Sequence, residues 1–211
     1  MVKRRPFWIA LAIAILLAGN VYFFIDLWQR NIVVSVPDGD SLDLADGRRV
    51  RLLGIDAPEK GRCMADEARQ KLVDLALARH VRLKEIVKDD FGRQLAIVIV
   101  DSVALQEHLL LSGLARNESS SGNPYNQLLK DVQEVAKAAK LGIWSDACRG
   151  KTSGKEDCTI KGNTRAGKKF YYTPSCTQYE QVVVDIAYGD AWFCSEKEAE
   201  NAGFTRTSGC P

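Results

Sequence analysis

Residues 36–59, VPDGDSLDLADGRRVRLLGIDAPE, concentrate acidic groups that folding alone explains poorly. Asp46-Gly47 reads as a two-residue hairpin turn between two short strands. Antiparallel pairing around that turn sets Asp40 opposite Leu53 and Leu42 opposite Arg51. Asp40 and Arg51 are then diagonal neighbours on one face, about 7–8 Å apart or somewhat less. Asp56 and Glu59 fall just beyond the end of the second strand. In this register Arg51 shares a face with Leu53 and Ile55, where a guanidinium costs free energy unless an anion meets it. The hairpin therefore gathers carboxylates at one end with an arginine beside them. Carboxylate oxygens bind a hard divalent cation such as calcium. Such a cation polarises a phosphoryl oxygen, while arginines grip the remaining oxygens as charge builds. A further carboxylate can position or deprotonate an attacking water. The set suits displacement at a phosphodiester. A lone Asp-Gly-Asp is ordinarily a surface turn, and a lone Arg51 a partly buried structural arginine, but neither reading accounts for the whole set.

The elements that must position these groups follow from periodicity. Strands are predicted over 31–36, 41–45, 48–55, 81–87 and 94–100, the last two joined by the charged turn KDDFGR. Ala65, Ala68, Leu72, Leu75 and Ala76 share one face of a helix over 65–79. Further helices are predicted over 102–112, ended by Gly113, and 125–140, ended by Gly142. This is a mainly β chain with α-helices (α+β). Five strands interrupted and followed by three helices suggest a small closed barrel of the OB type, although strand count alone does not decide the topology.

The 211 residues leave room for one such domain plus an anchor and a small extra module. Twenty-nine basic against 27 acidic residues is close to balance, so net charge neither requires nor excludes a polyanionic substrate. Residues 7–27 are apolar except for Asn20 and Asp26, follow Lys3, Arg4 and Arg5, and match the length of a membrane-spanning helix. The positive-inside rule keeps the basic tip in the cytoplasm and carries the rest across. Secretion after signal cleavage is the alternative, but the apolar run continues past the small-residue site around Ala18-Gly19-Asn20. The expected organisation is a tip and signal-anchor over 1–30, a catalytic segment over 31–149, a polar linker over 150–157 and a cysteine-containing module over 158–211. All six cysteines lie beyond the anchor, where an oxidising compartment favours disulfides. No Cys-x-x-Cys pair or neighbouring histidine supports zinc.

Five segments in order, DGDSLDL, VRLLGIDAPE, DDFGRQLA, LLLSGLA and LGIW, resemble the successive motifs of the staphylococcal nuclease (thermonuclease) family over about residues 33–144. The resemblance implies an OB-type five-stranded barrel with three helices. It also implies calcium-dependent hydrolysis of DNA and/or RNA, leaving a 3′-phosphate and a 5′-hydroxyl. Asp40 and Asp56 match the calcium carboxylates, and Ala57 the position whose backbone carbonyl is a ligand. Arg51 and Arg93 match the phosphate-clamping arginines, and Glu59 the glutamate assigned to the nucleophilic water. Arg93 is assigned to charge stabilisation, because an arginine does not readily release its proton. Phe91 replaces a tyrosine that stacks on the nucleotide, Asp90 replaces a phosphate-binding lysine, and Tyr125 can stack only if its loop folds back. Base stacking contributes about 1–3 kcal/mol per base, so these departures weaken substrate binding rather than catalysis. An OB-type module that grips nucleic acid or an envelope polymer without cleaving it is the alternative. Its mark would be loss of Asp40, Arg51, Glu59 or Arg93, and all four are present.

The last segment is too short for a generous core and must lean on disulfides. Its IKGN, YYTP and GDAWFCSEKEA segments, followed by AGF, resemble the small accessory module, sometimes called a sunset domain, often appended to exported bacterial nucleases. Lys161, Arg165, Lys168 and Lys169 read as a solvated basic face. Cys63 and Cys148 are the two cysteines of the catalytic segment, so domain boundaries favour Cys63–Cys148. Within the module, Cys158 precedes IKGN and Cys194 follows Trp192-Phe193, favouring Cys158–Cys194 and leaving Cys176–Cys210. Nucleic acid and, through the N-terminal helix, a membrane are the partners implied; no protein partner is.

Overall fold

The computed structural model describes residues 11–20, 29–90, 92–118 and 125–211. Most of the apolar run predicted to span a membrane lies outside these residues. Its part at 11–20 is helical and exposed, and among the described residues no helix is long and apolar enough to cross a membrane.

Alternation of apolar and polar residues builds the first sheet. Strands β1 (Val33–Ser35), β2 (Ser41–Leu44) and β3 (Arg49–Leu52) form a meander, and β4 (Ile55–Asp56) follows a turn at Gly54. After helix α1 (Ala65–Ala76) come β5 (Arg82–Lys88), β6 (Gln94–Val100) and the short β7 (Val103–Ala104). The sheet order is β1-β2-β3-β6-β5, with β7 on β6 and β3 parallel to β6. Leu42, Leu44, Val50 and Leu52 point inward and are at most 1% exposed. Each such side chain contributes about 1.5–3 kcal/mol by leaving water. The facing helices are α1, through Ala68 and Leu72, and α2 (Leu105–Leu111), through Leu105 and Leu109. β8 (Arg116–Asn117) then pairs with β4, and α3 (Asn126–Ala138) completes the nuclease-like segment.

Two expectations need correction. The barrel does not close as a continuous ladder. The start of β1 and the segment leading into β5 meet through three backbone N–H···O bonds, at 3.0, 2.9 and 2.9 Å, around an isolated bridge between Ile32 and His80. β1 is three residues long with a shifted register, and β5 bulges at Glu85, whose φ is 51°, so neither edge is straight enough to run a second ladder. The β2–β3 register also differs by one residue, with Ser41 opposite Arg51 and Leu42 opposite Val50. The Leu44 N–H donates to the Arg48 carbonyl, so the loop holds three residues, with Gly47 left-handed at φ 84°, rather than the two assumed.

The C-terminal module is a second small sheet. β9 (Arg149–Gly150) pairs with β12 (Val184–Asp185), joining the module to the end of the preceding segment. β10 (Ile160–Arg165) and β11 (Lys168–Tyr172) form a hairpin flanked by β13 (Ala191–Phe193) and β14 (Thr205–Arg206), with α4 (Glu196–Asn201) packed alongside. Its core is Ile160, Tyr171, Phe193, Ala199 and Phe204. The glycine of IKGN is required by approach: a Cβ on Gly162 would lie 2.6 Å from Phe193 and 2.8 Å from Phe204. Disulfides join Cys63 to Cys148, Cys158 to Cys194 and Cys176 to Cys210. Lys161 is not part of a solvated face. It is fully buried, donates to the Tyr179 and Val182 carbonyls at 3.0 Å, and lies 4.1 Å from the Tyr179 ring centre. Burial holds its ammonium below the usual lysine range.

The helices α2 and α3 are tied at their ends by two glycines whose backbones touch. Gly113 and Gly142 have φ of 66° and 53°, and a Cβ on Gly113 would come 2.3 Å from the Leu141 carbonyl oxygen. The Gly113 carbonyl accepts the Ile143 N–H at 2.8 Å. Gly113→Ala combines left-handed strain with a backbone clash and should cost at least about 2 kcal/mol. Urea unfolding checks this; a loss below about half a kcal/mol would contradict the packing.

Candidate active site

The bend at 38–40 aims the site. Asp38 accepts the Asp40 N–H at 3.1 Å, an Asx turn just before β2, while the Asp40 carbonyl still accepts the Leu52 N–H at 2.8 Å. Gly39 is needed because a Cβ there would lie 2.8 Å from the Cβ atoms of both Ala57 and Ala68. Asp40 thus reaches Arg51 although the register differs from expectation: Arg51 Nη1 donates to Asp40 Oδ1 at 2.5 Å. The other arm of the same guanidinium donates to Asp56 Oδ1 at 3.0 Å. The backbone N–H of Ala57 donates to Asp40 Oδ2 at 3.0 Å. One arginine fork and one peptide group therefore hold two carboxylates, Asp40 just before β2 and Asp56 at the end of β4.

Electrostatics follow burial. Asp40 is 3% exposed, and loss of water pushes its carboxyl up to about 7, against the pull of Arg51 and the Ala57 N–H. Burial also works against the charge of Arg51, but the Asp40 and Asp56 carboxylates outweigh it and hold its pKa above the usual arginine value. Among the described residues no group of three or more His, Cys, Asp or Glu side chains is placed to hold a metal. The donors present are two carboxylates and the Ala57 carbonyl, all hard oxygens. A carboxylate offers about four lone-pair sites, so their hydrogen bonds leave capacity for a cation. A desolvated, partly neutralised carboxylate pair fits one.

Arg51 also lines an open cleft of about 500 Å³ with Arg48, Arg49, Lys88 and Arg93. Arg93 is set by the turn before β6. Asp89 accepts both its backbone N–H, at 2.8 Å, and its Nε–H, at 2.6 Å, while Gly92 takes φ 78°. The structure brings Asp40, Arg51, Asp56 and Ala57 into contact and joins Arg93 to Arg51 across this cationic cleft. Glu59 is exposed on the loop that follows Asp56. Tyr125 is half-buried and packs against the hydrophobic core. Phe91 lies outside the described residues.

A family model described as staphylococcal nuclease homologue matches residues 49–146, and one described as ArfC matches residues 140–206. The chain is 32% identical over 154 residues to a micrococcal nuclease of Shigella flexneri, covering 65% of this chain and 84% of that protein. It is 30% identical over 161 residues to protein ParB of Escherichia coli, covering 68% of this chain and 88% of that one. An uncharacterized endonuclease of Haemophilus influenzae is 34% identical over 119 residues, 54% of this chain and 65% of that protein. The chain belongs to the staphylococcal nuclease family. It is a phosphodiester-hydrolysing nuclease with mixed α and β structure around an OB-type sheet.

Sequence reasoning missed two residues of this nuclease's site. Arg116 Nη2 donates to Asp56 Oδ2 at 2.9 Å, and the Tyr188 hydroxyl donates to the Asp56 carbonyl at 2.8 Å. The Arg116 guanidinium stacks 3.5 Å above the Tyr188 ring centre. The LLLSGLA motif ends one residue before Arg116 and could have pointed to it. Nothing in the local sequence around Tyr188 marks it, because its partner is 132 residues away.

The raised Asp40 carboxyl has a defined consequence in the metal-free protein. Its native pKa, about 7, exceeds the ordinary 3.8, so the folded state holds this proton more tightly. The stabilisation is fully present below pH 3.8 and is lost as pH rises through about 7. Side-chain carboxyl NMR of metal-free protein should show Asp40 titrating near pH 7, and a midpoint in the ordinary carboxylate range would contradict the burial argument.

Proposed function

We propose that this protein is a calcium-dependent nuclease acting on DNA and/or RNA and leaving 3′-phosphate ends. The observation that carries the reading is the contact of Arg51 with both Asp40 and Asp56 at the mouth of a cleft shared with Arg93. Asp40, Asp56 and the Ala57 carbonyl are the residues that would hold the cation. When bound, calcium supplies Lewis-acid polarisation of a phosphoryl oxygen and neutralises charge beside the buried carboxylates. Arg51 and Arg93, on one cleft, hold the non-bridging oxygens and meet the charge that builds at phosphorus. Arg48, Arg49 and Lys88 along the same cleft attract the flanking phosphates, so binding should weaken with salt. Glu59, exposed two residues after Ala57, is the carboxylate assigned to position or deprotonate the attacking water. The leaving 5′-oxygen takes its proton from solvent, since an arginine does not release one readily.

The reading extends to location. Three disulfides, together with a basic tip ahead of an apolar run, support a catalytic segment held outside a membrane. The relatives named as endonucleases support internal cleavage.

Cleavage of single- and double-stranded DNA and RNA should proceed with calcium, stop in chelator and return on calcium addition. Magnesium should substitute poorly, because it demands tighter octahedral geometry and sheds water reluctantly. Equal cleavage in chelator would remove the metal from the mechanism. Because the proton on Asp40 competes with the cation, calcium affinity should fall as pH drops below about 7.

Arg51→Ala and Arg93→Ala should each lower turnover by at least about 10²–10³-fold. Glu59→Gln should lower turnover while calorimetric calcium affinity stays near that of the parent. Parent-like turnover in Glu59→Gln would take that residue out of the mechanism.

A further inference from the structure

The peptide group between Asp56 and Ala57 is held from both sides. Its N–H, on Ala57, donates to Asp40 Oδ2 at 3.0 Å, and its C=O, on Asp56, accepts the Tyr188 hydroxyl at 2.8 Å. A peptide restrained at one end alone can pivot about its flanking dihedrals. The second bond removes that freedom, and hydrogen bonds through one amide polarise each other, so the phenol tightens the grip of Ala57 N–H on Asp40. The Tyr188 ring does a second job. It carries the Arg116 guanidinium at 3.5 Å while Arg116 Nη2 donates to Asp56 Oδ2 at 2.9 Å. Stacking restrains a long side chain that would otherwise sample many rotamers.

The seam that delivers Tyr188 is extensive. β12 pairs with β9, and the Ile186 N–H donates to the Cys148 carbonyl at 2.9 Å. Cys148 is itself bonded to Cys63, on the loop after Asp56. Gly189, next to Tyr188, takes φ 93°, and a Cβ there would come 2.9 Å from the Arg62 guanidinium. A side chain at 189 would displace the Arg62 guanidinium and would be strained by the positive φ.

We infer that the C-terminal module is a structural part of the active site, with Tyr188 as a positioning residue that holds the Asp56–Ala57 peptide and, through Arg116, the Asp56 carboxylate. The inference rests on the calcium-nuclease reading of that site. Tyr188 touches neither substrate nor reacting atoms. It acts by fixing the spacing between the Asp40 and Asp56 carboxylates and the direction of the Ala57 carbonyl. The cationic cleft of Arg48, Arg49, Arg51, Lys88 and Arg93 contains no residue of the module, so KM reads a surface that Tyr188 does not line, with Arg51 shared between the cleft and the carboxylates.

The test uses the full chain with Tyr188→Phe, which removes the hydroxyl and keeps the ring, and Tyr188→Ala, which removes both. Three readouts are needed: calorimetric calcium affinity, kcat and KM on a short oligonucleotide, and melting temperature in chelator. Tyr188→Phe should weaken calcium affinity by about 10-fold, the usual scale for a group that orients a metal ligand. It should also lower kcat while KM and the melting temperature in chelator stay near the parent's. Tyr188→Ala should lose more of both calcium affinity and kcat. Parent-like calcium affinity and kcat in Tyr188→Phe, with or without a lower melting temperature, would overturn the inference and leave the site reading intact. A parent chain that neither binds calcium nor cleaves would bring down the site reading, and the inference with it.

Discussion

A carboxylate that is almost entirely removed from water cannot remain charged without partners, and Asp40 is in that position at 3% exposed. Its partners come from separate parts of the chain. Arg51 reaches it from β3, and the Ala57 N–H from the segment after β4. The Ser41 hydroxyl adds a third donor at 3.2 Å. The same arginine then binds Asp56, so one buried anion draws the hairpin and the following loop into a single unit. The hydrophobic core beneath supplies the rigid floor: Leu42, Leu52 and Ile55 flank these polar positions and are fully buried. Buried ion pairs add little net stability, because desolvation offsets attraction. The value of this one lies in fixing where two carboxylates stand.

The second sheet bears on the same spot. Fifty residues would bury too little surface to fold securely alone, and the two internal disulfides, Cys158–Cys194 and Cys176–Cys210, offset that shortfall by about 2–4 kcal/mol each. Asp190 gathers three donors within the module. It accepts from the Asn163 side chain and from the backbone N–H groups of Thr164 and Asp185. That cluster ties β10 to the segment holding Tyr188 and Gly189, whose carbonyl accepts the Thr164 hydroxyl. A rigid module is what allows a hydroxyl to be presented to a carbonyl 132 residues earlier. Burial also raises the Tyr188 phenol well above the usual tyrosine range, so it is a hydrogen-bond donor at any ordinary pH.

The elements were largely legible because their signals are local. Strands at 41–45, 81–87 and 94–100 fall within about a residue of their observed limits, as does the start of α1. The β3 prediction over 48–55 ran too far, since Leu53-Gly54 turns the chain and β4 begins anew. Register was misjudged for a related reason. Asp-Gly signals a hairpin but does not say whether two or three residues fill the loop, and a shift of one residue moves every side chain to the other face. Asp40 sits at the end of the hairpin, its carbonyl still on the Leu52 N–H, and from the bend at 38–40 its side chain still meets Arg51. Closure of the barrel was similarly beyond local reading, as it depends on whether two bent edges can meet.

Residue types and order alone determined the family, the carboxylate–arginine chemistry of Asp40, Arg51 and Asp56, and the division of six cysteines between two segments. Those features are short motifs, or counts that domain boundaries constrain. Only the tertiary structure decided that Lys161 is buried rather than solvated, that Arg116 braces Asp56, and that Tyr188 holds the carbonyl beside it. Each depends on contacts between segments far apart in the chain. Hydrophobic pattern and motif spacing describe what a stretch of sequence can do beside its neighbours. They carry no information about which buried polar atom of one module will be left for another module to satisfy.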